Sequence, residues 1–242
     1  MKVKYLLGIL IISIASLGII LPITYRNSFS KPGSSIDTII SVDSTDSGWI
    51  NDEINAIESQ VSNLNRNVLR LSLIAYQHAE NKGITSNPFL TIVDYSKPSS
   101  ERRLWVIDTI RKKVLFNTWV AHGKNSGDVN SSSFSNNPES LKSSLGVFVT
   151  SDIYNGKHGE SLHVQGLESG FNDNAYKRSI VFHGAEYVSE AIAKTGKIGR
   201  SWGCWAVSPA IIGSLINTIK NKVLVVAYYP DKKWLNQSAF LN

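Results

Sequence analysis

The sequence predicts a mainly β (α+β) protein: a β-sandwich or mixed sheets, a few packed helices, and a helical subdomain ahead of the sheet. Three observations carry this. Apolar residues recur at helical spacing between Trp49 and Asn81, and after Pro88 the texture changes to short β-like runs. No regular strand–helix–strand alternation follows, which argues for a mainly antiparallel sheet or sandwich.

The elements follow in chain order. Lys2 and Lys4 precede an uncharged stretch from Tyr5 to Tyr25, long enough to cross a bilayer, with Ser28 and Ser30 offering a small-x-small site before Lys31. Residues 1–30 therefore read as a signal peptide or, uncleaved, a membrane anchor, and place the protein outside the cytoplasm, in the periplasm or cell envelope. The stretch 31–47 is rich in Ser, Asp, Gly and Thr and reads as a linker. In 48–87, Ile54, Ile57 and Val61, then Leu64, Val68, Leu71 and Ala75, form one apolar stripe that ends at Lys82-Gly83. This stripe is read as packing, not as a partner groove.

Residues 88–242 read as the main domain. Strands are expected at Phe89–Val93, Leu104–Ile107, Val114–Val120, Gly146–Thr150, Ser161–Val164, Ser179–Phe182 and Val223–Tyr229. A long Ser/Asn-rich loop spans Gly123 to Ser144. Helices are expected at Ala185–Lys194 and Pro209–Lys220, the second with Ser208 as N-cap and Pro209 in its first turn.

Composition narrows the function. With 42% apolar residues the chain can bury a sizeable core. The net charge of +6 is scattered, without the dense basic run and interleaved aromatics that nucleic acid requires, and it suits an anionic wall polymer. His158 and His163 lie five apart in an expected strand, on opposite faces, so no metal site and no cofactor is expected.

Cys204 is the one cysteine, in an exported chain where a leftover thiol is a liability. A lone cysteine is ordinarily a small buried hydrophobe, yet this one sits in Gly199-Arg200-Ser201-Trp202-Gly203-Cys204-Trp205, between glycines and an expected helix start. Arg200, an imidazolium and the positive helix end are candidates for lowering its pKa, and Gly203 for close backbone approach. His183, at the end of the run Ser179–Phe182 and before Gly184, is the natural base; its alternative is a hydrogen-bonded structural histidine. His183 precedes Cys204 by 21 residues. Papain-like enzymes place Cys first, and sortases, which share this order, need a later arginine; none follows Arg200.

His183-Gly184, the 17 residues from Gly184 to Arg200, and then Ser201-Trp202-Gly203-Cys204 resemble the signature of YkuD-like murein L,D-transpeptidase catalytic domains. The segments Val120–Gly127, Phe134–Asn136, Ser143–Gly146 and Asn172–Ala175 resemble one branch of that family, with an SWGC motif. The resemblance implies an L,D-transpeptidase-like fold and a peptidoglycan transpeptidase that forms 3→3 cross-links. Stem peptides would be donor and acceptor. Cys204 would be the thioacyl-forming nucleophile and His183 its base, with backbone N–H groups around Gly203 and Cys204 as oxyanion donors. Ser201 and Gly184 match the motif and would shape the site.

Trp202, Arg200, His122 and Asn136 are expected at the substrate cleft, where His122 has an ordinary turn residue as its alternative and Arg200 a solvated loop residue. Two positions depart from the family pattern: Trp205 stands where proline is expected, and Ala206 where Asn or Arg is common. The competing readings are an L,D-carboxypeptidase or amidase of the same fold, using water as acceptor, and a wall-binding module without catalysis.

Overall fold

The computed structural model describes residues 44–157 and 159–242. The expected signal peptide or anchor, nearly all of the expected linker, and His158 lie outside the described residues. The helical layer comprises α1 (Ser44–Glu58) and α2 (Arg66–Asn81). The helical stripe from Trp49 is thus two helices, because the Asn65 side chain accepts hydrogen bonds from the Asn67 and Val68 N–H groups and starts a new helix there. Gly83, at φ 66°, ends α2 as the Lys82-Gly83 signal predicts.

Eight strands form one mixed sheet: β1 (Phe89–Asp94), β2 (Leu104–Asp108), β3 (Lys113–Thr118), β4 (Gly146–Gly156), β5 (Gly159–Gly166), β6 (Val181–Gly184), β7 (Trp205–Val207) and β8 (Leu224–Tyr228), in the order β3-β2-β1-β8-β4-β5-β6-β7. The neighbours are antiparallel except β1 with β8 and β6 with β7. The helices α3 (Glu190–Ala193), α4 (Ile212–Ile219) and α5 (Lys232–Gln237) complete the described elements.

Period-two alternation splits the core between the two faces of the sheet. Ile92, Trp105, Leu224 and Val226 pack with Ile54, Ile57, Leu69 and Leu73 of α1 and α2. Their neighbours Val93, Leu104 and Val225 turn the other way, into a cluster with Phe148, Phe182, Trp205 and the α4 residues Leu215 and Ile216. Trp205 stacks on Phe182 at 4.8 Å between centroids and meets Phe148 edge-on at 5.0 Å. That accounts for an aromatic where the family pattern has proline: the ring is a core anchor.

Two expectations near Cys204 are corrected. The Ser208 carbonyl accepts from the Ile211 N–H, so the chain makes a turn first, and α4 starts at Ile212 with no side-chain cap. Cys204 therefore leads into strand β7, not into a helix, and the strand separates it from the helix dipole. The helix expected at Ala185–Lys194 is only α3, opened by the Ser189 cap.

Candidate active site

The parallel pairing of β6 and β7 brings the candidate nucleophile and base together. Parallel neighbours require a crossover of a dozen or more residues, and the stretch through α3 between His183 and Cys204 is that crossover. The register sets Phe182 against Trp205 and His183 against Ala206. With Phe182 and Trp205 both in the core, alternation turns Val181, His183 and Cys204 to the opposite face. All three line a cleft of about 330 Å³ with Tyr154, Lys157, Ser179, Tyr187, Arg200, Ser201 and Trp202.

His183 is buried, and its Nδ1 lies 2.9 Å from the Gly184 carbonyl. A carbonyl can only accept, so Nδ1 carries the proton and the neutral ring holds its lone pair on Nε2. Gly184 also packs on Ile212: a Cβ added there would lie 3.1 Å from its Cγ2.

The Cys204 thiol is half-buried and stands 3.6 Å from the Ser179 carbonyl. Ser179 adopts φ 54°, a left-handed conformation that serine rarely takes. Burial pushes the thiol up, and a hydrogen bond from the Val181 backbone and the Arg178 charge pull against it. The cation acting on the sulfur is therefore Arg178, not Arg200. Arg200 donates to the Lys124 and Gly127 carbonyls and approaches Asp128 at 3.5 Å, so it braces the Lys124–Asp128 loop at the rim of the cleft.

Ser201 donates to the Cys204 carbonyl at 2.7 Å and accepts from the Gly203 N–H at 3.1 Å. The Gly203 amide is thus engaged within its own turn, which corrects its assignment as an oxyanion donor. Gly203 has φ 122°, and a Cβ there would lie 2.8 Å from the Lys142 carbonyl. The close approach that requires glycine is to the protein's own loop, not to a substrate. Trp202 is 72% exposed at the mouth, with Lys124 Nζ 5.8 Å from its ring.

Two predicted cleft residues lie elsewhere. His122 is fully buried; Arg103 donates to its Nδ1 at 2.7 Å, and its Nε2 faces the Gly127 carbonyl at 3.4 Å. Asn136 donates to Asp173 and accepts from the Asn174 N–H, latching the Ser/Asn-rich loop to the segment after β5. Asn172 in that segment donates to the Leu145 and Val147 carbonyls. The branch-like motifs thus knit the walls that hold the cleft. Trp205 and Ala206 are buried, and neither lines the cleft. His163 pairs with Asp152 at 3.0 Å, and the described residues contain no cluster able to hold a metal.

Arg178 was not legible as a site residue. Its guanidinium donates to the Ser135 and Lys142 carbonyls and to the Ser140 and Ser144 hydroxyls, so one side chain organises the loop wall and sets the field at the sulfur. Arg178→Ala is expected to slow the proposed acylation of Cys204 at neutral pH, because the thiolate loses a charge that favours it. Arg178→Lys should restore part of the rate, because it keeps the charge without the planar fork. Acylation rates measured across pH for the three proteins check this.

Burial beside Arg103 drives the His122 pKa from its ordinary 6.5 down to about 4. Its folded pKa lies below the unfolded one, so its stabilisation is full above pH 6.5 and is lost as pH falls toward 4, about 3 kcal/mol in all. Glu53 acts oppositely: burial raises it from 4.5 to about 7, so it loses stability as pH rises through that window. These two contributions oppose each other between pH 4 and pH 7, and the His122 part is isolated by mutation. The difference between wild type and His122→Asn in denaturant unfolding should shrink by that amount from pH 7 to pH 4.

The L,D-transpeptidase catalytic domain family matches residues 60–228. Solved structures similar to the chain include an L,D-transpeptidase from Mycobacterium smegmatis, at 12% identity over 59% of each chain with a TM-score of 0.37. L,D-transpeptidase 1 of Mycobacterium tuberculosis is 11% identical over 59% of this chain and 62% of that one, TM-score 0.34. The L,D-transpeptidase (Yku) of Stackebrandtia nassauensis is 13% identical over 76% of this chain and 92% of that one, TM-score 0.36. The chain spans about three fifths of the length of the first two of these. No curated protein matches it. Because the family match runs from the end of α1 to the end of β8, most of the sequence, the chain belongs to the L,D-transpeptidase catalytic domain family.

Proposed function

We propose that the protein is a peptidoglycan L,D-transpeptidase of the cell envelope that forms 3→3 cross-links through a thioacyl-enzyme on Cys204. The observation that supports the reading most is the shared cleft: the Cys204 thiol and the His183 imidazole face it from adjacent parallel strands, with the imidazole oriented by the Gly184 carbonyl.

Cys204 Sγ attacks the carbonyl carbon of the third residue of a tetrapeptide stem while His183 Nε2 takes the thiol proton. The C–N bond to the terminal D-Ala breaks, and His183 returns the proton to the leaving amine. The amine of a second stem then attacks the thioester. His183 accepts its proton, the C–S bond breaks, and the proton goes back to sulfur. With the Gly203 amide held by Ser201, the Cys204 amide is the oxyanion donor in this scheme. Trp202, exposed at the mouth, is the acceptor's platform.

The test is mass analysis of products from the full chain incubated with a tetrapeptide muropeptide, with and without a second stem as acceptor. A dimer lacking one D-Ala is expected. A trimmed monomer regardless of acceptor would assign a carboxypeptidase. No product, together with no carbapenem adduct on Cys204, would leave only a wall-binding module.

A further inference from the structure

A second cleft, of about 340 Å³, lies between the helical layer and the β2–β3 turn, lined by Trp49, Tyr76, Glu80, Ser86, Pro88, Thr109, Ile110 and Lys112. The β2–β3 edge is at the opposite end of the strand order from β6 and β7. The Trp49 and Tyr76 rings lie nearly parallel, 24° apart with centroids at 6.4 Å. Polar groups surround them. Glu80 accepts from the Tyr76 hydroxyl at 2.9 Å, and Thr109 donates to the Pro88 carbonyl at 2.8 Å.

Two features exceed what packing requires. Ile110, at the tip of the turn, is 77% exposed on the rim of the cleft. Glu53 on α1 is fully buried, and neither carboxyl oxygen has a hydrogen-bond partner among the described residues. Glu53 does not itself line the cleft; Tyr76 and Lys112, which do, are its electrostatic neighbours. A buried carboxyl with no donor is costly and rarely kept for stability.

The turn is held in place: Gln60 donates to the Lys112 carbonyl at 2.7 Å and accepts from the Val114 N–H at 3.0 Å. Lys112 takes φ 51° there. Tyr76 is buried and stacks on Trp49, so the trough offers one aromatic face, that of the partly exposed Trp49, with the Glu80 carboxylate beside it, and this pairing suits a pyranose. The C–H face of the sugar packs on the ring, while its hydroxyls donate to the Glu80 carboxylate and accept from Lys112.

We propose that this cleft binds a sugar segment of a β-linked N-acetylated amino-sugar chain, with Trp49 as its platform and Glu80 as its polar anchor. The choice of sugar rests on the wall-polymer reading above. Such a site would hold the glycan while the cleft at Cys204 works on its peptide, which raises the effective concentration of stems.

The test is titration of the full chain with tri-N-acetylchitotriose, following the six tryptophan indole signals by NMR, with the Trp49 signal assigned from Trp49→Phe. The expected result is a saturable shift of the Trp49 indole with Kd about 1 mM. Trp49→Ala should weaken binding at least about tenfold and Glu80→Gln about fivefold, while Trp49→Phe stays within about threefold. Should Trp49→Ala fail to fold, Glu80→Gln and the wild-type shifts decide. No saturation by ~10 mM, or a shift confined to Trp202, would overturn the site. Carbapenem acylation of Cys204 in Trp49→Ala is expected to match wild type. A failure of that reaction in wild type would count against the proposed chemistry and leave the sugar result standing.

Discussion

A Cys204→Ala protein is expected to form no cross-links above background and to take up no carbapenem by intact mass, a loss on the order of 10⁴-fold or more. Its fold should persist, since removing one sulfur from a half-buried position costs about 1 kcal/mol or less. Cys204→Ser should be almost as inert, because a hydroxyl is far harder to deprotonate than a thiol. The reason lies in the balance at the sulfur. Burial pushes the thiol up, and the Val181 hydrogen bond and Arg178 only oppose it. Little thiolate stands ready at neutral pH, so alkylation of the wild-type thiol by iodoacetamide should keep rising with pH beyond the range of an ordinary exposed cysteine. If alkylation instead levelled off below pH 7, the sulfur would be a preformed thiolate and the need for a base would fall away.

The extent to which this site could be read from the sequence follows from what kind of signal each residue leaves. Cys204 and His183 could be singled out because the nucleophile and base of the proposed chemistry must be of particular types and stand here in family-like order and spacing, whereas the parallel β6–β7 pairing that brings them to one cleft was not expected. Seven strands were legible from apolar runs, whereas β7, only three residues long, is too short to show alternation. The break between α1 and α2 was hidden because the apolar stripe continues across it; the Asn65 cap that makes it is a single polar residue among many.

The rest of the site depends on contacts distant in sequence. Arg178 reaches back to Ser135, Ser140, Lys142 and Ser144, and nothing near Arg178 itself announces that role. Conversely, His122 and Asn136 stood in segments that resemble the family, and their residue types suited a cleft equally well. Only burial beside Arg103, and the latch to Asp173 and Asn174, assign them to the walls. Segments that build the walls and segments that react leave the same kind of trace in sequence. Geometry separates them.

His183→Gln carries the sharpest test of the proposed chemistry. The variant is expected to lose between about 10² and 10⁴ in kcat/KM at neutral pH, the range over which a positioned acid–base group contributes. Glutamine can offer a donor toward the Gly184 carbonyl, which holds Nδ1 of the histidine at 2.9 Å, but it cannot take up and return a proton. The loss should therefore reside in chemistry, with the melting temperature within a few degrees of wild type, as a shape-conserving change of one buried polar group allows. A purely structural histidine would give the same loss at every pH. A general base would not: as solvent hydroxide comes to generate the thiolate unaided, the gap in single-turnover acylation by a carbapenem should narrow from pH 7 to pH 10. Because burial holds the thiol high, the narrowing should begin late in that range. A constant gap would remove His183 from the proton path and leave it the role of shaping the strand end beside Cys204.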